Sequence, residues 1–252
     1  MRSVAYRDAD RIVTLYTRGR GRLSALARSA RSSRKRFAGC LDFFTVSTMH
    51  LSTRSNAELW TLTSAELATR FARLTGDMAS YAHASYGTEL VRELTAAEVP
   101  DERVLDLVVE LYRELDRDGA YLPLLRAFEL RLLELVGLAP VLDRCVGCGS
   151  RDIDGRGMVL DPERGGVCCP SCAAFARNVG VRPLSGGARR DLRTVQSVGS
   201  LGDARSVRMA PAEAGEARDA VLALVMSHVG KPLRSVEFIA KVSGAARQRR
   251  ES

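Results

Sequence analysis

The chain has 252 residues, 46% of them hydrophobic and 27% charged, with 38 Lys and Arg against 30 Asp and Glu for a formal net charge of +8. That is enough length and apolar material for two or three small cores, which excludes a disordered chain and a disulfide miniprotein. No apolar run approaches the roughly 18 residues of a membrane span, and Met1 to Asp8 lacks the apolar centre of a signal peptide, so the expected setting is a reducing cytoplasm with no membrane partner.

The chain opens on a basic zone. From Arg11 to Leu41 there are nine basic residues (Arg11, Arg18, Arg20, Arg22, Arg28, Arg31, Arg34, Lys35, Arg36) and no acidic one, so this stretch carries +9 and the other 221 residues sum to −1. Such a concentration suits a polyanion, because arginine matches phosphate geometry with several donors and stacks on bases through its planar face. Arg11 has an alternative use, pairing with Asp8 or Asp10. Residues 11 to 69 read as short strands: Ile12 to Thr17 is rich in β-branched and aromatic residues, Gly19 and Gly21 supply a turn, and Arg22 to Arg28 alternates. Leu23, Ala25 and Ala27 fall on one side of that strand and Arg22, Ser24 and Arg28 on the other, giving it a cationic face. A polar, basic loop from Ser29 to Gly39 follows, then two further β-type runs, Leu41 to Thr53 and Ala57 to Thr69. Roughly four strands in about 60 residues suit a small barrel or an SH3-like sheet. Phe37 within the basic loop reads as a core anchor in preference to a base-stacking platform.

From about Leu74 the period becomes helical and the charge turns acidic, with 16 acidic against 9 basic residues between Arg54 and Asp143. Ala79 to Ala96 is a weakly patterned helix; Asp101 to Asp116 carries a stripe of Val104, Leu105, Val108, Leu111, Tyr112 and Leu115; Leu122 to Val136 carries another, with Gly119 between them. Glu110, Glu114 and Asp118 sit opposite the stripe, as on a solvated face, which argues against a carboxylate pair holding Mg²⁺ for nuclease chemistry. Helical pattern returns at Leu184 to Val195 and Ala212 to Val229, in a zone that is basic again.

The cysteines interrupt this helical region. Cys145-Val146-Gly147-Cys148 and Cys169-Pro170-Ser171-Cys172 are two Cys-x-x-Cys knuckles with 20 residues between them, each able to bring two sulfurs to one ion. Cys145, Cys148, Cys169 and Cys172 are therefore the expected ligands of a structural Zn²⁺, closed to substrate because all four positions are taken. Cys168 is an alternative to Cys169, which is preferred for its symmetric spacing; a disulfide, an iron-sulfur cluster and free buried thiols are the competing readings. Between the knuckles, Gly155, Gly157, Gly165 and Gly166 flank Met158-Val159-Leu160, a ribbon too small to fold without metal. Cys40 reads as a small core residue.

No catalytic constellation is evident. His50, His83 and His228 lie in separate segments, Gly230-Lys231-Pro232 lacks the rest of a phosphate loop, and Gly19 and Gly21 are not followed by a dinucleotide fingerprint. The chain reads as a binding protein without an enzymatic activity.

Tyr6-Arg7-Asp8-Ala9-Asp10-Arg11-Ile12-Val13-Thr14-Leu15-Tyr16-Thr17, then Gly21-Arg22-Leu23, Ala25-Leu26-Ala27-Arg28 and the basic loop, resemble the N-terminal region of the RecO family of bacterial recombination mediators. Leu138-Ala139-Pro140 ahead of the first knuckle and Pro232-Leu233-Arg234-Ser235 to Phe238 resemble its later segments. The resemblance implies an α+β chain: an N-terminal OB-fold-like β-barrel over residues 1–70, then a helical domain over 71–252 interrupted by a Cys₄ zinc module at 143–176. Family members usually carry an additional strand of about ten residues before this motif, so the barrel is expected to lack its first strand unless the start is assigned too late. The implied function is non-enzymatic: binding single- and double-stranded DNA, annealing complementary strands and, with RecR, helping RecA load onto DNA coated by single-strand binding protein. Implied partners are DNA, RecR, the acidic tail of that binding protein and, indirectly, RecA, in the cytoplasm at the nucleoid. Arg20, Arg22, Arg28, Arg31, Arg34, Lys35 and Arg36 are the expected DNA-binding residues. An apolar groove flanked by Arg126 or Arg131 is the expected seat of the acidic tail. A zinc-ribbon protein associated with transcription or translation is the alternative.

Overall fold

A computed structural model describes residues 1–32, 36–53, 59–153, 157–174 and 180–251, the last seven of these by backbone only. The chain divides into two compact units, residues 1–119 with 238–252 and residues 120–237.

The first unit is built on strands β1 (Arg2–Tyr6), β2 (Asp10–Thr17), β3 (Gly21–Ala27), β4 (Thr45–Ser52) and β5 (Trp60–Arg70), in the order β1-β2-β3-β5-β4. All neighbours are antiparallel except β3 and β5. The alternation in β3 is realised: Gly21, Leu23, Ala25 and Ala27 are buried, and with Val13, Phe37, Cys40, Leu62 and Ala65 they make the core of the sheet. Phe37 is 4% exposed and anchors the basic loop from inside. Gly21 is required where it stands, with φ +61 and Val99 O in the space that a Cβ would occupy.

The expected barrel is not formed. The sheet is open: among the described residues no ladder joins β1 to β4. Closure needs tilt and stagger shared by every strand. Here β1 is five residues long with four of them exposed, while β4 passes through two register shifts, at Val46/Ser47 and His50/Leu51. A cleft of about 630 Å³, lined by Val13, Leu15, Phe44, Met49, Val108 and Tyr112, lies along the unclosed seam. A short strand does precede β2: Arg2–Tyr6 pairs with it through Arg2↔Thr14 to Tyr6↔Asp10, so Ile12 to Thr17 is flanked on both sides, and β1 is the edge strand among the described residues.

Three helices complete this unit before the chain crosses over: α1 (Ala72–Gly76), α2 (Met78–Leu94) and α3 (Glu102–Asp118). Asp77 caps α2, accepting from Ser80 N at 2.8 Å, and that same serine's hydroxyl holds its carboxyl below the usual range. Phe44 meets Tyr81 and Tyr112 edge-on at 5.1 and 5.3 Å, and Phe71 meets Tyr112 at 5.6 Å. The α3 surface is covered more widely than its stripe predicts: Leu107 and Glu114 are also buried, Glu114 pairing with Arg117 at 2.6 Å, so Glu114 is not on a solvated face.

In the second unit α4 (Leu122–Leu135), α6 (Gly186–Gln196) and α7 (Pro211–Val229) bury Phe128, Leu132, Leu192, Val195, Val221 and Leu224. Arg126 is 6% exposed and forms an ion pair with the fully buried Glu129 at 2.8 Å, so it flanks no groove; Arg131 donates to the carbonyls of Val198 and Gly199. The cysteine segment folds as β6 (Val159–Asp161), β7 (Gly166–Cys168), the single turn α5 (Pro170–Ala173) and β8 (Arg182–Pro183), in a sheet ordered β7-β6-β8. Gly155, read as part of this ribbon, lies outside the described residues. The final helix α8 (Arg234–Glu251) has no counterpart in the sequence reading; its Phe238 packs edge-on against Tyr81 at 6.1 Å. Among the described residues no helix is long and apolar enough to cross a membrane.

Candidate metal centre and nucleic-acid interface

The two knuckles meet. The sulfurs of Cys145, Cys148, Cys169 and Cys172 all lie within 4.8 Å of one another. Four sulfurs about 2.3 Å from a tetrahedral ion stand about 3.8 Å apart, and the Cys148 and Cys169 sulfurs are 3.9 Å apart. The first knuckle is closed by Gly149 N donating to Cys145 O and Cys145 N to Ser150 O, both at 2.8 Å. Gly147 has no room for a side chain, since a Cβ there would stand 2.9 Å from the Cys172 sulfur. The second knuckle is shaped by Pro170 at the first position of α5, where a missing N–H costs nothing.

The donor set favours a soft cation. Burial works against ionisation of Cys145, but the backbone amides of Cys169, Cys148 and Gly147 directed at its sulfur outweigh it and draw the thiol down to about 6. Hydrogen bonding to the Cys169 and Cys145 sulfurs pushes Cys172 up to about 12, as crowding four thiols in one place requires when one of them carries charge. Cys168 stands outside the cluster; it is fully buried in β7, and burial raises its thiol.

The ribbon is stitched to the segment before it. Val141 N donates to Gly165 O at 2.9 Å, Val167 N to Val141 O at 3.0 Å and Val146 N to Val167 O at 2.9 Å. Gly166 allows this approach: a Cβ would lie 2.5 Å from Val141 O. On its other side the segment is held by Arg189, which donates to Leu142 O at 3.0 Å, and by Gln196, which donates to Pro140 O at 3.2 Å.

The basic residues of the first unit are spread over the sheet. Arg28, Arg31 and Arg36 are exposed at one end, where the loop after β3 meets the β1–β2 turn. That junction is fastened by Arg31 N to Ala9 O at 3.0 Å, the Arg31 guanidinium to Asp8 O at 3.0 Å, and Ser29 N to the Asp10 carboxylate at 2.7 Å. Asp10 thus serves the loop backbone. Arg36 donates to Arg28 O and lies over the Phe37 ring. Arg34 and Lys35 lie outside the described residues. Arg20 leaves the turn at the opposite end of β3 and folds back over Trp60, 5.3 Å from its ring. Arg22 is half-buried and donates from Nε and Nη2 to Thr95 O at 3.2 and 3.1 Å.

Arg18 of this zone is neutralised, pairing with Glu102 at 2.7 Å and Asp106 at 2.5 Å on α3. Among the described residues Arg20, Arg22, Arg28 and Arg31 form no ion pair. Among the described residues, Arg20, Arg28 and Arg31 therefore face solvent without a carboxylate partner.

Residues 1–71 match the family model described as recombination protein O N terminal, and residues 75–237 the one described as recombination protein O C terminal. The chain belongs to the RecO family. Its relatives include proteins described as DNA repair protein RecO from Anaeromyxobacter sp. (strain K), 37% identical over 96% of this chain and 94% of that one. Those from Symbiobacterium thermophilum and Myxococcus xanthus are 37% and 33% identical, over 93% and 95% of this chain and 91% and 94% of theirs. RecO membership gives the chain a general, non-catalytic role in DNA repair and recombination.

Proposed function

We propose that this RecO-family chain binds single- and double-stranded DNA on the basic end of its five-stranded sheet and anneals complementary strands there. The observation that carries the reading is that Arg20, Arg28 and Arg31 are exposed and form no ion pair among the described residues. Two strands laid against one cationic surface lose the repulsion that separates them, and their bases remain free to pair. Arg28, Arg31 and Arg36, with Arg34 and Lys35, supply phosphate contacts; Arg20 supplies one from the far end, and Arg22 acts mainly by holding the strand to Thr95. Among the described residues this basic end is built from strands and turns and not from a helix, so its contacts position the backbone and read no sequence.

A structural Zn²⁺ held by Cys145, Cys148, Cys169 and Cys172 fits the sulfur spacing and the soft donor set, and would supply folding energy to residues 143–176. With RecR, the protein helps RecA load onto DNA coated with single-strand binding protein, whose acidic tail it engages; the site of action is the cytoplasm, at the nucleoid. The family resemblance along the whole chain supports these partners, and nothing in the fold favours the transcription or translation alternative.

The test is annealing of complementary oligonucleotides, bare and coated with the single-strand binding protein, together with affinity measured against salt. Each phosphate contacted should contribute about −0.7 to the slope of log affinity against log salt for single strands. Reversal of Arg28, Arg31 and Arg36 to Glu should flatten that slope by about two units and abolish annealing. A slope near zero for the wild type would overturn the reading.

A further inference from the structure

Resting on that DNA-binding reading, we infer that Tyr6 is a stacking subsite for an unpaired base, so that the basic end of the sheet grips single strands by their bases as well as their phosphates. The last residue of β1, Tyr6, lies on the free edge of the sheet and is 39% exposed. Val4, two residues earlier on the same face, is 43% exposed, so among the described residues the edge carries an exposed apolar strip. Edge strands ordinarily carry charges or prolines there, because exposed apolar edges invite unwanted pairing. An uncovered aromatic in that place calls for a ligand.

The surroundings identify the ligand as a nucleic-acid base. Arg7, the next residue, holds a left-handed backbone at φ 52, and its guanidinium lies 5.3 Å from the Tyr6 ring centroid. Only a few per cent of residues other than glycine take that conformation. Arg28 and Arg31 belong to the same end of the sheet, which the bonds from Ser29 and Arg31 to residues 8–10 hold together. Beside Arg7, Arg28 and Arg31 stand, among the described residues, Asp10, whose carboxylate accepts from Ser29 N, and the exposed Asp8. A planar π-face beside the Arg7, Arg28 and Arg31 guanidinium groups, which form no ion pair among the described residues, fits a base with its flanking phosphates, and Arg7 can pass from the ring to a phosphate as the base arrives. The other exposed aromatic among the described residues, Phe43, lacks this setting: the nearby Arg70 is paired with Asp42 at 2.8 Å.

The face is useful only to unpaired bases, since those of a duplex are stacked on one another. The full-length protein and its Y6A, Y6F and Y6L variants are titrated with oligothymidylate, an abasic strand of equal length and a duplex. Y6A should bind oligothymidylate about tenfold more weakly, within the range seen for single base-stacking aromatics, and bind the abasic strand and duplex as the wild type does. The salt slope should not change, because no charge is removed. Y6F should restore binding and Y6L, which keeps the strand and the apolar area but has no planar face, should not. Equal binding of oligothymidylate by Y6A and wild type would sink the inference, as would an equal loss on the abasic strand. If Y6A is silent while the arginine reversals abolish binding, Tyr6 fails alone; if the reversals are silent too, the DNA surface itself is misassigned.

Discussion

The sulfur cluster and the basic end of the sheet both gather groups of like charge, and they do so in opposite ways. Four cysteines converge within 4.8 Å, with backbone amides aimed at Cys145 and glycine where a side chain would intrude. Arg20, Arg28 and Arg31 are spaced along turns and a loop, exposed, and without an ion pair among the described residues. A centre neutralised from within needs short-range geometry. A docking surface must stay un-neutralised, and needs only spacing and the absence of acids. The two regions should therefore respond differently to damage: steeply at the cluster and additively at the surface.

The sharpest contrast is between neighbouring cysteines. Cys169→Ser should abolish metal binding and unfold the β6–β8 ribbon, a loss on the order of 10 kcal/mol of metal-linked folding energy, whereas Cys168→Ala should retain one metal per chain. Metal analysis and hydrogen exchange over residues 141–184 check both; equal metal content in the two variants would show that the ligand set is wrong. At the surface, Arg22→Ala should lower stability by about 2 kcal/mol, the scale of a charged hydrogen bond to a half-buried carbonyl, while Arg28→Ala leaves the melting temperature unchanged and weakens DNA binding severalfold. If Arg22→Ala instead matched Arg28→Ala in both assays, Arg22 would belong to the phosphate track.

The smallest effect concerns the apolar frame behind the sheet. Burial pushes Tyr112 up to about 12, against its hydrogen bond with Thr88 at 2.5 Å. The unfolded chain loses this proton from about pH 10, so stability should decline between roughly pH 10 and 12, by about 2 to 3 kcal/mol in all. Tyr112→Phe should remove that alkaline limb in denaturant titrations. A limb unchanged in the variant would assign it to another group.

What could be read in the residues was what repeats locally. The alternation Leu23, Ala25, Ala27 located a buried strand face, and the two Cys-x-x-Cys spacings located a turn that brings sulfurs together. What could not be read depends on partners far along the chain. Glu114 lies on the polar side of its stripe, yet the packing of α3 buries it. Arg22 alternates outward with Arg28, yet Thr95, 73 residues away, takes its guanidinium. Arg126 pairs with Glu129 inside a helix that is covered on more sides than an amphipathic pattern signals. Barrel closure failed for the same reason, since whether β1 reaches β4 depends on bulges and lengths in both strands and no local period records them. α8 went unread because its sequence is polar, and its recognisable anchor is the single ring of Phe238 on Tyr81.

Residues 140–142 have a double allegiance, hydrogen-bonded to the ribbon through Val141 and to α6 through Pro140 and Leu142. Their backbone works as a shared rivet. If the sulfurs hold an ion, as proposed, stripping it would loosen that rivet and withdraw an acceptor from the buried Arg189, so chelation damage would spread into the neighbouring helix instead of stopping at the ribbon's boundary.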